Sequence, residues 1–173
     1  LSALNAVFGW FVLKETVTDA IRRPFSLARA NPLGAFRVLG KMPTIAPLLG
    51  VFFVYQIAFT VYPSVWAYFG KERFDWDPST IGMSLGLFGI MIALVQGLLI
   101  RPVLKYLGER GTVFYGLIVD AVAFSLLAFV TSGTLALLLV PVAALAGVVT
   151  PALQGIMSRA VGDDQQGELQ GVL

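Results

Sequence analysis

Apolar residues run in long blocks along this chain, and the polar ones gather in the gaps between them. Four blocks, roughly 44-69, 80-100, 111-131 and 134-157, reach the length of a membrane-crossing helix, about 20 residues at about 1.5 Å rise for a hydrocarbon core of about 30 Å. None shows the polar face of a helix in a soluble bundle. Helix is the expected state of each, because backbone exposed to lipid has no water to satisfy it. The opening run, 1-13, is too short to cross alone and reads as the end of a transmembrane helix. At the other end, the polar stretch 158-170 leads into 171-173, read as the start of a next helix. Both ends are therefore expected to be cuts in a longer chain.

The gaps predict an orientation. Residues 14-43 form the long polar connection, with Pro24, Pro32 and Pro43, and the basic residues Lys14, Arg22, Arg23, Arg29, Arg37 and Lys41 outnumber Glu15 and Asp19. Basic loops stay on the cytoplasmic side, so this is a central cytoplasmic loop, either a mobile linker or a regulatory or selectivity element. The next gap holds Lys71, Glu72, Arg73, Asp75 and Asp77. It is expected outside, with Trp66, Tyr68 and Trp76 as aromatic anchors at the membrane surface. The gap 101-110 is basic again, with Arg101, Lys105 and Arg110 against Glu109, and the neutral turn at 131-134 falls outside. The stretch 158-170 should be a cytoplasmic loop, although Asp163, Asp164 and Glu168 outnumber Arg159.

Composition agrees with this reading and removes several alternatives. Of 173 residues 57% are hydrophobic and 13% charged, and mean hydropathy is +0.83, the profile of an all-α integral membrane protein. The chain has no cysteine and no histidine, which excludes disulfides, thiolate nucleophiles, Ser-His triads and nearly every zinc site. A net charge of +2, without interleaved basic and aromatic residues, argues against a nucleic-acid partner. Phosphate-cradling glycine loops are missing as well. Intramembrane aspartyl chemistry needs two carboxylates that share a proton, and the apolar blocks hold one. An enzyme is not expected.

That one carboxylate is Asp120, the sole charged residue between Arg110 and Arg159. On a helix over 111-131 it lies about 15 Å from either end, near the bilayer centre. Ionisable groups at that depth are costly, and chains keep them chiefly where protons, ions or substrates move. Val113, Gly116, Leu117, Phe124 and Leu127 share its helix face, and Gly116 leaves room for a close neighbour or a substrate. Gln56, Gln96 and Gln154 are the other strongly polar side chains in the blocks. Each either binds a ligand in a central cavity or ties two helices together. Tyr55 and Tyr62 could stack on an aromatic ligand. Gly82, Gly86 and Gly89 predict a closely packed helix face, and Pro63, Pro141 and Pro151 predict kinks.

These residues also carry a resemblance. Arg23-Pro24-Phe25-Ser26, Asn31-Pro32-Leu33-Gly34-Ala35-Phe36-Arg37, Val51-Phe52-Phe53 with Gln56, Phe69-Gly70-Lys71-Glu72-Arg73-Phe74-Asp75-Trp76-Asp77, Leu107-Gly108-Glu109-Arg110, Gly116-Leu117-Ile118-Val119-Asp120 and Pro151-Ala152-Leu153-Gln154 resemble the tetracycline/proton antiporters of the major facilitator superfamily. The matches run in order over nearly the whole chain.

The resemblance implies an incomplete C-terminal half of a major facilitator superfamily transporter, from the end of the sixth helix to the start of the eleventh. It makes Asp120 the ninth-helix acidic residue that couples proton entry to export of metal-chelated tetracycline. Gln56, Gln96 and Gln154 become cavity-facing, substrate-binding residues. Arg101, Gly108 and Arg110 fall in the weaker second copy of the superfamily's basic loop motif, a cytoplasmic gating loop, with Lys105 and Tyr106 where the stronger copy has Asp-Arg. The implied partners are a small-molecule drug, protons, the lipid bilayer and the missing N-terminal half, in a bacterial inner membrane. No cofactor is implied beyond the proton gradient, the substrate itself carrying a divalent metal. Another drug, a sugar or an organic anion as cargo, or a non-functional membrane fragment, are the alternative readings.

Overall fold

A computed structural model describes residues 2-12, 45-162, 165-171 and 173; the connection expected over 14-43 lies wholly outside them. The described residues are helical with short turns: α1 (Ser2–Val12), α2 (Ala46–Phe74), α3 (Pro78–Leu94), a π turn (Val95–Leu99), α4 (Ile100–Phe129), α5 (Gly133–Ala144), a 3-10 turn (Leu145–Val148), α6 (Val149–Arg159) and α7 (Gln166–Gln170). Three continuous stretches, Ala46–Phe74, Pro78–Phe129 and Gly133–Arg159, are long and apolar enough to cross a membrane.

The 52 residues of Pro78–Phe129 would be about 78 Å long if straight, more than twice a hydrocarbon core of about 30 Å. They are not straight, because Gly108 interrupts the helix with φ 66° and ψ 177°. That region of backbone space is essentially restricted to glycine. Phe88 lies upstream of this break and Asp120 and Phe124 downstream, yet all three line one cavity. The chain therefore doubles back at Gly108. Thr112 Oγ1 donates to the Gly108 carbonyl at 2.6 Å and steadies the bend. The stretch 101-110, expected as a loop, is helical on both sides of this one residue.

The run from α5 through the 3-10 turn to α6 is the hub of the bundle. It packs against α2, α3 and α4, and Val140, Ala144, Val148, Val149 and Met157 are fully buried along it. Two apolar clusters result. One gathers Phe52, Tyr55, Val113, Val149, Leu153 and Met157, and the other Tyr62, Trp66, Leu127, Ala136 and Val140. Gly116 permits a close helix approach, since a Cβ there would meet Val149 Cγ2 at 2.3 Å. The space beside Gly116 thus belongs to a neighbouring helix.

Prolines account for the irregular turns. In a regular helix the ring of residue i collides with the carbonyl of i−4 and supplies no N–H to it. Pro102 sits just past the π turn, where the Ile100 N–H reaches back to the Val95 carbonyl, and Pro151 just past the 3-10 turn. α2 carries Pro63 inside an unbroken helix.

Three expectations are corrected. Trp66 is no surface anchor: it is 2% exposed, and its indole Nε1 donates to Ser84 Oγ at 2.8 Å. Trp76 likewise lies against Gly70 and Gly133, while Tyr68, at 76% exposure, keeps the position of an interfacial ring. Gly82, Gly86 and Gly89 meet no side chain where a Cβ would stand, so no described helix uses them for close packing. The outer gap is also shorter than expected: Lys71, Glu72 and Arg73 form the last turn of α2. Arg73 donates from Nε to the Val130 carbonyl at 2.9 Å and from Nη2 to the Ala128 carbonyl at 3.1 Å, covering the end of α4.

Candidate functional site: a carboxylate among aromatic rings

Asp120 stands on the second limb of the hairpin, half-buried against the interior. Its helix carries Val113, Gly116, Ala123 and Leu127 into the core; of the face predicted from helical spacing, Phe124 stays exposed at 38%. The carboxylate lines a narrow cavity with Phe59 and Tyr62 of α2, Phe88 of α3, Phe124 of α4, and Ala143 and Ala146 of the hub. About 10 Å³ of that cavity is open to the centre of a water molecule, room for about one water. No described Lys or Arg lies within ion-pair distance of Asp120. No described donor hydrogen-bonds its carboxylate.

Aromatic stacking builds the wall. Tyr62 packs on Trp66, Phe88 and Phe124 with ring centroids 4.8, 5.1 and 5.4 Å away, and Tyr55 stacks on Phe59 at 6.0 Å. The Tyr55 and Tyr62 hydroxyls are both fully buried without a hydrogen-bond partner. The spacing of Tyr55, Phe59, Tyr62 and Trp66 along one helix face was the sequence signal for this wall.

The glutamines lie apart from it, and none lines the Asp120 cavity. Gln56 opens with Phe53, Ile57, Thr60, Val61, Ser64 and Val65 onto a groove of about 400 Å³ along the exposed face of α2. Thr60 and Ser64 hydroxyls donate back to the Gln56 and Thr60 carbonyls at 2.8 Å, the usual way such side chains settle in a helix. Gln96 sits in the π turn, and its Nε2 donates to the Gly147 carbonyl at 3.2 Å. That carbonyl is the one whose helical partner Pro151 removes. Gln154 is half-buried in α6. Each glutamine thus occupies a separate environment.

At the hairpin end, Arg101 and Arg110 are exposed and Gly108 makes the reversal. Glu109 pairs with Arg159 at the end of α6, Oε1 to Nη2 at 2.7 Å, and its carboxylate covers Gly155. This ion pair joins the stretches 101-110 and 158-170.

The model of the Major Facilitator Superfamily matches residues 1–173. The chain is similar to a class C tetracycline resistance protein of Escherichia coli, 40% identical over 173 residues, which is 100% of this chain and 43% of that protein. A class E protein of Escherichia coli is 42% identical over 132 residues, 75% of this chain and 33% of the relative. A class G protein of Vibrio anguillarum is 36% identical over 145 residues, 84% and 37%. The chain therefore spans less than half the length of these relatives. No solved structure matches it. Helical crossings throughout the described residues and a family match over the whole length lead to one conclusion: this multi-pass membrane chain belongs to the Major Facilitator Superfamily.

Proposed function

We propose that this chain is part of a proton-coupled drug exporter of a bacterial inner membrane, moving tetracycline as a metal chelate outward in exchange for protons. The observation that carries the reading is Asp120, a carboxylate in a membrane-crossing helix that meets no described cation or hydrogen-bond donor. Such a group is costly unless it changes protonation as part of the work. The similarity to proteins named for tetracycline resistance supports the choice of cargo.

In this mechanism Asp120 takes a proton arriving from outside and gives it up inward as substrate leaves. Gln56, Gln96 and Gln154 supply amide contacts to the drug; Gln96 has its carbonyl oxygen for this while Nε2 holds Gly147. Arg101, Gly108 and Arg110 act at the cytoplasmic end as a gate, with Gly108 as its bend. The cavity at Asp120 holds about one water and not a drug, so the drug occupies a larger space completed by the N-terminal half of the same transporter. The open groove beside Gln56 supports α2 as part of that space. No protein-held cofactor takes part, and any divalent metal travels with the substrate.

The test is Asp120→Asn in the full-length gene, expressed in a drug-sensitive bacterium. Resistance should be lost, and proton/tetracycline exchange in inverted vesicles should fall on the order of a hundredfold. Full resistance and exchange in that variant would overturn the reading.

A further inference from the structure

Two phenol hydroxyls on one face of α2 are buried without hydrogen-bond partners, those of Tyr55 and Tyr62. Buried polar groups are nearly always paired, and an orphan calls for a reason. Both rings form or pack against the wall of the Asp120 cavity. Tyr62 lines the water-sized cavity into which Asp120 opens, and Tyr55 stacks at 6.0 Å on Phe59 of the same cavity wall. From the other elements around the cavity come Phe88, Ala143 and Ala146, so no described charged side chain from them competes for Asp120.

We propose that Tyr55, Tyr62 and Asp120 form one proton-loading unit, the phenols hydrogen-bonding the carboxylate, Tyr62 through a single water in the shared cavity. The unit rests on the proton-coupling reading of Asp120 and adds two positioning residues to it. A phenol serves both charge states because its oxygen donates as well as accepts. Toward the ionised carboxylate each O–H donates. When the carboxyl group binds a proton its own O–H donates and a phenol oxygen, turned about its C–O bond, accepts. The tyrosines keep their protons throughout; the proton gained and lost belongs to Asp120. Such a pair of partners lets a carboxylate sit among Phe59, Phe88 and Phe124 in either state without a cation, and so exchange its proton during the cycle.

The experiment uses the full-length transporter with Tyr55→Phe, Tyr62→Phe and the double variant, which keep the rings and delete the hydroxyls. Exchange of proton for tetracycline in inverted vesicles should fall at least about tenfold in each, with the double variant little worse than either single one. Thermal stability in detergent checks that each variant is folded. The infrared difference spectrum between low and high pH gives the readout that packing alone would not move. Its carboxylic C=O band, assigned to Asp120 by its loss in Asp120→Asn, should shift in both phenylalanine variants. Wild-type exchange with an unshifted band in both would overturn this unit while Asp120→Asn stays inactive and the transport reading stands. Activity in Asp120→Asn would overturn the transport reading, and the unit with it.

Discussion

Gln96 Nε2 donates to the Gly147 carbonyl at 3.2 Å, on the carbonyl that Pro151 deprives of its helical N–H. A side chain from the π turn thus repairs the backbone of the hub helix. Gln96→Ala should cost about 1 kcal/mol, and up to about 3 if the buried carbonyl stays unpaired. In a Pro151→Ala background the N–H returns, and the same change should be nearly neutral. A double-mutant cycle on thermal unfolding in detergent measures the difference; equal costs in both backgrounds would refute the repair.

Gly108 holds φ 66° and ψ 177° at the reversal of the hairpin. Nothing lies where its Cβ would stand, so any cost of Gly108→Ala is backbone strain, about 1–3 kcal/mol. Unfolding in denaturant should show it, and a wild-type midpoint would argue against this conformation.

At Gly116 the cost is steric, because a Cβ would stand 2.3 Å from Val149 Cγ2 and 3.3 Å from Val148 Cγ2. Gly116→Ala gains up to about 1 kcal/mol of helix propensity and loses about 1–3 kcal/mol to overpacking. Net destabilisation is expected, growing in Gly116→Val. Val149→Ala should restore stability to the alanine variant.

Ser84 Oγ accepts from Trp66 Nε1 at 2.8 Å and donates to the Ile81 carbonyl at 2.7 Å. Ser84→Ala strands a buried indole N–H, at about 1–3 kcal/mol. Threonine there should retain most of the stability, and the tryptophan emission spectrum reports whether the bond survives.

Asp77 caps α3, its side chain accepting from the Thr80 N–H at 2.9 Å. Hydrogen bonds from Thr80 hold its carboxyl below the usual carboxylate range. The folded value is the depressed one, so the cap's contribution is present above the ordinary aspartate range and is lost as pH falls through the folded value. The defect of Asp77→Ala should therefore be full at neutral pH and shrink on acidification. A defect independent of pH would contradict the ionised cap.

Much of this was legible from residue order alone. The apolar blocks predicted helix because a membrane leaves backbone few ways to satisfy itself. Asp120 stood out for the same reason, as a charge with no polar stretch around it. Periodicity even named the face on which Gly116 and Leu127 pack. Trp66 was misplaced because composition assigns a tryptophan near a helix end to the interface, whereas Ser84, 18 residues on in the chain, supplies the buried acceptor that draws it inside. Gly82 and Gly86 suggested a contact that depends on which helix comes near, and in the described bundle none does.

What the sequence alone determined is the class of molecule and its most expensive residue, since both follow from the free energy of moving groups between water and lipid. Which groups meet was decided by the tertiary fold. The Glu109–Arg159 pair, the repair of Gly147 by Gln96 and the cavity shared by Tyr62 and Asp120 all join residues far apart in the chain. Their pairing depends on the reversal at Gly108 and on how closely helices approach at Gly116, and approach is set by packing in three dimensions.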